Sequence, residues 1–192
     1  PVTVSEHEQL IEITIVNDRI PEIGTTAAVD GEKEIFATEV FVLTDIVAYQ
    51  HLIPGKEYVL KGILMDKTTG KPLLIDGKEI HAETVFTPET PAGETTVEFT
   101  FDSKYIKVDT DIVVFESLYK DGKELAVHTD IDDEGQTVKV KVPEIGTKAS
   151  VDGKKEVTAK GTITIEDIVS YENLTPGKEY TCLLYTSDAA DE

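Results

Sequence analysis

The sequence has few of the residues that small extracellular domains use for disulfide bonds or structural metal sites. Its 192 residues contain a single cysteine, Cys182, which excludes a framework of disulfides. His51 and His81 have no partners at zinc-ligand spacing, and the acidic run 130–134 lacks the spaced pattern of a calcium loop. No metal or cofactor is predicted. A secreted domain with this composition needs a large core or another covalent link.

Positive charge and long apolar runs are also scarce. Against 38 acidic residues the chain has 18 lysines and arginines, a formal net charge of −20 and a pI near 4.5. A surface of this sign repels nucleic acid phosphates and anionic lipid head groups, so we predict neither nucleic acid nor membrane as a partner. No apolar run approaches the length of a membrane span.

One segment of the sequence occurs twice. Residues 21–58 read PEIGTTAAVDGEKEIFATEVFVLTDIVAYQHLIPGKEY, residues 143–180 read PEIGTKASVDGKKEVTAKGTITIEDIVSYENLTPGKEY, and 22 of 38 positions are identical. The copies begin about 120 residues apart, which is the size of a whole domain rather than of a solenoid unit. We therefore predict tandem domains in a piece of a longer repeat protein. The predicted parts are the last strand of a preceding repeat and its linker at 1–20, a complete repeat at 21–142, and the first part of the next repeat at 143–181.

Short alternating runs fill the complete repeat, and turn-forming dipeptides such as Asp-Gly and Pro-Gly separate them. No stretch shows a helical period with caps. Many short strands at close spacing predict an all-β fold, an immunoglobulin-like β-sandwich. The candidate strands are 36–43, 58–65, 79–86, 95–101, 112–118, 124–129 and 136–142.

The last residues, CLLYTSDAADE, break the similarity between the two copies. Tyr58 is followed by VLKGIL, whereas its counterpart Tyr180 is followed by TCLLYT. Residues 182–192 resemble the translation of a transposon-type sequencing adapter, which predicts a non-native tail. The alternative is a divergent strand with a frayed end.

Four motifs of the complete repeat carry polar side chains in a fixed order. They are GTTAAVDG with Thr25, TDIVAY with Asp45 and a following LIPG, VVFE with Glu116, and HTDIDDEGQ from His128 to Gln136. Each motif alone is weak, and a single threonine, glutamate or histidine is an ordinary strand or surface residue. Together they resemble the VaFE-repeat, or ester-bond, domains of Gram-positive surface adhesins.

This resemblance implies an internal ester between Thr25 and Gln136, formed with release of ammonia, and implies roles for Asp45, Glu116 and His128. A threonine hydroxyl needs a base to become a nucleophile, and the imidazole of His128 is the candidate. A glutamine amide needs hydrogen-bond donors on its oxygen. Two carboxyls crowded in a dry site cannot both ionise, so the Asp45–Glu116 pair retains a proton that it can donate.

The second copy distinguishes between two adjacent threonines. Thr147 aligns with Thr25, whereas a lysine aligns with Thr26, and Asp167 aligns with Asp45. Because no counterpart of the glutamate, histidine or glutamine follows, the second copy cannot close its own bond in this chain.

Gln9 is a candidate acceptor for a preceding repeat. It begins an alternating run that is similar to the run starting at Gln136. The histidine spacing differs, however, because His7 lies only two residues before it.

The resemblance implies an extracellular protein on the bacterial cell surface, anchored to the cell wall by a segment outside this sequence. We expect a structural stalk repeat, not an enzyme beyond a single self-cross-linking event. Its partners would be neighbouring repeats of the same chain, and a distal domain would bind the host or surface ligand.

Three alternatives stay open at this point. A Lys–Asn isopeptide lacks its asparagine, since residues 21–142 contain none, but a Lys–Asp isopeptide could use Lys33, which aligns with Lys155. A ligand-binding adhesin module is the second alternative, although the absence of tryptophan disfavours a sugar platform. The third is an enzyme, for which no Gly-x-Ser-x-Gly or His-Glu-x-x-His motif is present.

Overall fold

The computed structural model describes residues 19–158 and 160–183, so Gln9 and most of the 182–192 tail lie outside the described residues. No helix in these ranges is long and apolar enough to cross a membrane. The elements are β1 (Glu22–Ala28), β2 (Glu34–Phe36), β3 (Val40–Gln50), β4 (Tyr58–Asp66), β5 (Lys71–Pro72), β6 (Leu74–Ile75), β7 (Lys78–Glu79), β8 (His81–Phe86), β9 (Gly93–Asp102), a 3-10 helix (Ser103–Tyr105), β10 (Thr110–Lys120), β11 (Lys123–His128), β12 (Thr137–Lys141), β13 (Glu144–Ser150) and β14 (Glu166–Glu172).

Residues 21–142 form two main sheets that enclose one core, and β6 and β7 form a separate two-stranded sheet. The smaller sheet has the antiparallel order β1-β3-β9. The larger has the order β2-β12-β10-β4-β5, with β11 beside β10 and β8 beside β4, and only its β2–β12 pairing is parallel. Buried apolar side chains from both sheets form a continuous cluster. The prediction of an all-β fold is confirmed, and two packed sheets are the arrangement of an immunoglobulin-like sandwich.

Strand alternation carries polar groups into this core. On β3 the inward positions are Leu43, Asp45, Val47 and Tyr49, all buried. Successive side chains of a strand point to opposite faces, so the register that buries the apolar residues also buries the aspartate. The candidate strand 36–43 was wrong in position because this inward aspartate hid the continuation of the alternation as far as Gln50.

The central strand β10 buries a glutamate in the same way. Ile112, Val114 and Leu118 point into the core, and Glu116 occupies the inward position between the last two. A tight turn at Asp121-Gly122, with φ of 51° and 76°, connects β10 to β11. Two consecutive positive φ values are typical of the hairpin turn that fits the twist of paired strands. The hairpin places His128 directly opposite Glu116, with one irregularity in the ladder near Leu118.

The second copy repeats the first hairpin of the complete one. β13 pairs with β14 so that Thr147 lies opposite Val169, just as Thr25 lies opposite Val47 on β1 and β3. The sequence similarity between the copies therefore corresponds to the same strand pairing and register.

Candidate functional site

Thr25 and Gln136 meet in the core although 111 residues separate them. Thr25 is on the inward face of β1 and is 8% exposed, whereas Thr26 faces solvent. Gln136 lies immediately before β12 and is fully buried. The Thr25 Oγ1 to Gln136 Nε2 distance is 2.5 Å. Since the amide carbon is bonded to Nε2, the hydroxyl oxygen lies beside the carbon that it would attack.

Backbone hydrogen bonds fix Gln136 between the two sheets. Ala27 N, on β1, donates to Gly135 O at 3.0 Å. Val114 N, on β10, donates to Gln136 O at 3.2 Å. The segment before β12 is thus tied to a strand of each sheet, which leaves the glutamine side chain little freedom beside the threonine.

Asp45 lies beside this pair and is completely buried. Burial raises the pKa of its carboxyl to about 7, although the Thr25 hydroxyl and the nearby His128 and Lys33 act in the opposite direction. A carboxyl with a pKa near neutrality can both take and return a proton.

Glu116 is the second buried carboxyl, with 1% of its surface exposed. Burial, followed by the charge of Asp45 and a hydrogen bond to it, raises the pKa of Glu116 to about 9. Glu116 therefore holds a proton at neutral pH. Among the described residues, neither the carboxyl oxygens of this pair nor Gln136 Oε1 receive a hydrogen bond from another protein donor. A proton shared between the two carboxyls would satisfy part of this group, as expected for a carboxyl pair that keeps one proton.

Gly62 makes room for the buried glutamate. It is on β4, directly opposite Glu116 in the ladder. A Cβ at Gly62 would collide with Glu116 Oε1 and with the ring of Phe99. Gly62 was not among the predicted site residues, although a glycine inside a strand pattern is a known signal of close approach.

His128 is half-buried at the end of β11 and contacts two acceptors. Its Nε2 is 2.8 Å from Asp133 Oδ2, and its Nδ1 is 3.4 Å from Ile23 O. Because both partners accept, the ring makes both contacts when both nitrogens carry hydrogen. No hydrogen bond within the described residues joins His128 to Thr25. The Thr25 hydroxyl is among the groups that lower the pKa of Asp45, so this carboxyl is a second candidate base beside the imidazole.

Asp133 holds this histidine and was not among the predicted site residues. Its Oδ2 binds His128, and its Oδ1 accepts from Gly135 N at 2.7 Å. The hydrogen bond to His128 lowers the pKa of Asp133. Asp133 thereby connects the histidine to the backbone next to Gln136. Its place within the acidic run 130–134 gave no sign of this role.

Lys33 contacts a backbone carbonyl instead of a carboxyl group. Its Nζ donates to Gly135 O at 2.5 Å. Burial lowers the pKa of Lys33, and the neighbouring Asp45, Asp133 and Glu134 oppose this shift. The contacts therefore favour the Thr–Gln pair over a Lys–Asp isopeptide that uses Lys33.

The corresponding residues of the second copy do not assemble a site within the described ranges. Thr147 is exposed on β13, and Asp167 is half-buried on β14. Ala149 lies opposite Asp167, as Ala27 lies opposite Asp45 in the complete repeat. The hairpin is the same, but no partner for Thr147 lies beside it in the described part of the chain.

A β-sandwich whose first and last strands meet at a buried Thr–Gln pair, beside two carboxyls, defines a class of internally cross-linked domains. A family model described as "T-Q ester bond containing domain" matches residues 21–140 and again residues 143–186. The chain belongs to this family, and the resemblance to ester-bond domains is confirmed. The second match includes the first residues of the 182–192 tail, whose foreign origin stays a prediction.

Two solved structures share the fold. Both are of a bacterial adhesin from Mobiluncus mulieris that contains intramolecular disulfide, isopeptide and ester bond cross-links, in space groups P1 and P21. The matches have TM-scores of 0.57 and 0.58 at 15% and 18% identity, and each covers 80% of this chain and 76% of the adhesin chain. No curated protein matches the sequence.

Proposed function

We propose that residues 21–142 form a structural stalk repeat of a bacterial cell-surface adhesin, closed by an ester between Thr25 Oγ1 and the side-chain carbonyl carbon of Gln136. The single observation that carries the proposal is the 2.5 Å contact between the two side chains inside the core. Family membership supports the ester, and the likeness to the Mobiluncus adhesin supports the fold. The setting at the cell surface follows from both.

Asp45 and Glu116 have different roles in this reaction: Asp45 transfers the proton, and Glu116 stabilises the developing charge. The Asp45 carboxylate takes the hydroxyl proton of Thr25 as the oxygen attacks the amide carbon. Glu116, protonated because its pKa is about 9, donates a hydrogen bond to the oxygen on which negative charge develops. The carbon–nitrogen bond then breaks, the proton held by Asp45 passes to the leaving nitrogen, and ammonia departs. One hydroxyl and one amide thus give one ester and one ammonia.

His128 and Asp133 act on this reaction indirectly. The charge of His128 lowers the pKa of Asp45, which burial alone would raise further. Asp133 fixes the ring through its 2.8 Å contact with Nε2. The histidine therefore keeps part of the Asp45 population ionised and able to accept the proton.

Burial also protects the product. Gln136 is fully buried and Thr25 is nearly so, which keeps water from the ester that they would form. The reaction occurs once and its substrate is the chain itself, so we assign a structural role rather than an enzymatic one.

The cross-link changes how the repeat carries force. β1 is the first strand of the sandwich, and Gln136 directly precedes its last strand, β12. Force that enters at one end would cross the repeat through a covalent bond, and not only through hydrogen bonds of about 1 kcal/mol each. Closing a loop of this length also stabilises a fold by about 4–5 kcal/mol in the chain-entropy model. A cell-wall anchor and a ligand-binding tip outside this sequence complete the proposed adhesin.

Intact-mass measurement of the denatured full chain tests the ester. We expect the parent to be lighter than its sequence mass by one ammonia and to yield a peptide that joins Thr25 to Gln136. Thr25→Ala and Gln136→Ala should both show their full sequence mass. Thr26→Ala is the matched control, because its side chain faces solvent, and it should keep the deficit. A folded parent at full mass would contradict the proposal.

A further inference from the structure

The junction between the two copies contains a contact that occurs twice. The first residue after the second strand of each hairpin, His51 or Asn173, has a left-handed backbone with φ of 64° or 56°. His51 Nδ1 lies 3.0 Å from Ile20 O, and Asn173 Nδ2 donates to Val142 O at 3.0 Å. The two carbonyls belong to equivalent residues, each just before the proline that begins a copy. The two side chains differ, but each contacts the backbone carbonyl oxygen of the equivalent linker residue.

Asp109 holds the same linker from the side of the complete repeat. It lies in the loop before β10, and its Oδ1 accepts from Val142 N at 2.8 Å. Its Oδ2 pairs with Lys141 Nζ at 2.8 Å, and this partner lowers the pKa of Asp109. Asn173 Nδ2, from the second copy, is 3.5 Å from the same Oδ1. One carboxylate thus fixes two linker residues and contacts the following copy.

A second point of contact lies close by. Thr175 of the second copy lines a surface groove of the complete repeat together with Phe36 and Phe41. Its hydroxyl is buried. The loop of the second copy therefore packs on the first copy at two positions. Two contacts restrict rotation of one copy relative to the other more than a single contact would.

We infer that Asp109 and Asn173 form a joint that holds each repeat at a fixed orientation to the next. The partner for this surface is another repeat of the same type, docked head to tail. None of the joint residues contacts Thr25 or Gln136, so the inference stands independently of the ester.

The complete repeat presents the receiving half of such a joint at its own beginning. Arg19 occupies the position equivalent to Lys141, and its Nη1 is 3.4 Å from His51 Nε2. The surrounding surface also includes Lys120, which is paired with Asp121, and Lys123, so basic groups outnumber acidic ones there on a chain of formal charge −20. A carboxylate placed like Asp109 on a preceding repeat has the complementary charge for this surface.

Spin-label distance measurements on the full chain test the joint. Labels would be placed at Glu89→Cys and Lys148→Cys, two exposed positions on the two copies, in a Cys182→Ser background. We expect one narrow distance distribution for this parent. Asn173→Ala and Asp109→Ala should broaden it at least about twofold, because linked domains without a specific interface move independently.

The natural variation between copies supplies the matched control. Asn173→His introduces the residue that makes the equivalent contact in the first copy, and it should keep the narrow distribution. Retained circular dichroism spectra would show that broadening is not unfolding. A parent distribution that is already broad, or an Asn173→Ala chain as narrow as the parent, would overturn the joint.

Discussion

Two carboxyl groups, those of Asp45 and Glu116, lie together in the core where neither meets water. A buried carboxyl favours its neutral form, and a neighbouring carboxyl strengthens this preference. Before the ester forms, the fold therefore binds protons that the unfolded chain has already lost at neutral pH. The same property that makes the pair useful as donor and acceptor makes the unlinked fold sensitive to pH.

The stability of the unlinked chain should fall as pH rises. Glu116 titrates near 4.5 when unfolded and at about 9 when folded, so between these values the folded state binds more protons. The contribution of Glu116 is fully present below the lower value and is lost as pH rises through the upper one. A Thr25→Ala chain should thus have a lower urea midpoint at about pH 8 than at about pH 5. Adding Glu116→Gln should remove much of this slope, and an unchanged slope would show that Glu116 is not protonated in the fold.

Gly62→Ala should disturb both stability and cross-linking. The added methyl group would collide with Glu116 Oε1 and the Phe99 ring, and overpacking of this kind costs about 1–3 kcal/mol. We expect a lower urea midpoint and a smaller cross-linked fraction by intact mass. Gly24→Ala is the matched control, because a Cβ there meets no atom within 4 Å. Equal effects of the two substitutions would argue against a specific role for Gly62.

Asp133→Asn should slow ester formation by about 10- to 100-fold, which is less than the roughly 100- to 10,000-fold cost of losing a group that transfers the proton itself. The substitution removes the carboxylate that holds His128 Nε2 and thus weakens the effect of His128 on Asp45. The pH profile should also shift upward, since a higher pKa of Asp45 leaves less carboxylate at neutral pH. The fraction of linked chain over time, by intact mass at several pH values, measures both.

Asp132→Asn is the matched control for this experiment. It removes the same charge from an exposed neighbour that makes no contact with His128. Its rate and pH profile should resemble those of the parent. A uniform loss in Asp133→Asn without any change in pH profile would indicate only a structural role.

At the scale of the strands, the sequence predicts best where alternation is undisturbed. The candidates 58–65 and 112–118 lie within β4 and β10, whose inward positions are mainly apolar. The strand that carries Asp45 was placed wrongly because a core aspartate resembles a surface residue in a binary pattern. Glu116 is also a polar residue at a core position, but it did not disturb the prediction of β10, because Ile112, Val114 and Leu118 occupy the other inward positions.

Some residues of the site could be predicted from the sequence, and others could be recognised only in the structure. Thr25 could be distinguished from its neighbour because the second copy changes Thr26 and keeps the first threonine. The role of Gly62 depends on Glu116, which is distant in the chain, and the role of Asp133 depends on His128, which lies across a loop. Their roles depend on strand register and loop geometry, which local sequence does not specify.

At the scale of the whole molecule, one strand, β12, connects the proposed cross-link to the joint. Thr137–Lys141 forms β12, which begins next to Gln136 and ends at Lys141, a partner of Asp109. Force that arrives from the next repeat would therefore reach the proposed cross-link along one short strand. The strong negative charge also limits side-to-side association of such chains, which leaves head-to-tail contacts as the favoured ones.

The separation of 111 residues between Thr25 and Gln136 has a consequence for extension under tension. Once the ester has formed, the chain between these residues is a closed loop and cannot lengthen the molecule even if every strand unpairs. The closed segment of each repeat would be roughly 380 Å long if fully extended, and the ester keeps this length from adding to the extension of the molecule. A fibre of such repeats would hold a nearly constant length under load and would dissipate little energy. It would behave as a tether rather than as a shock absorber.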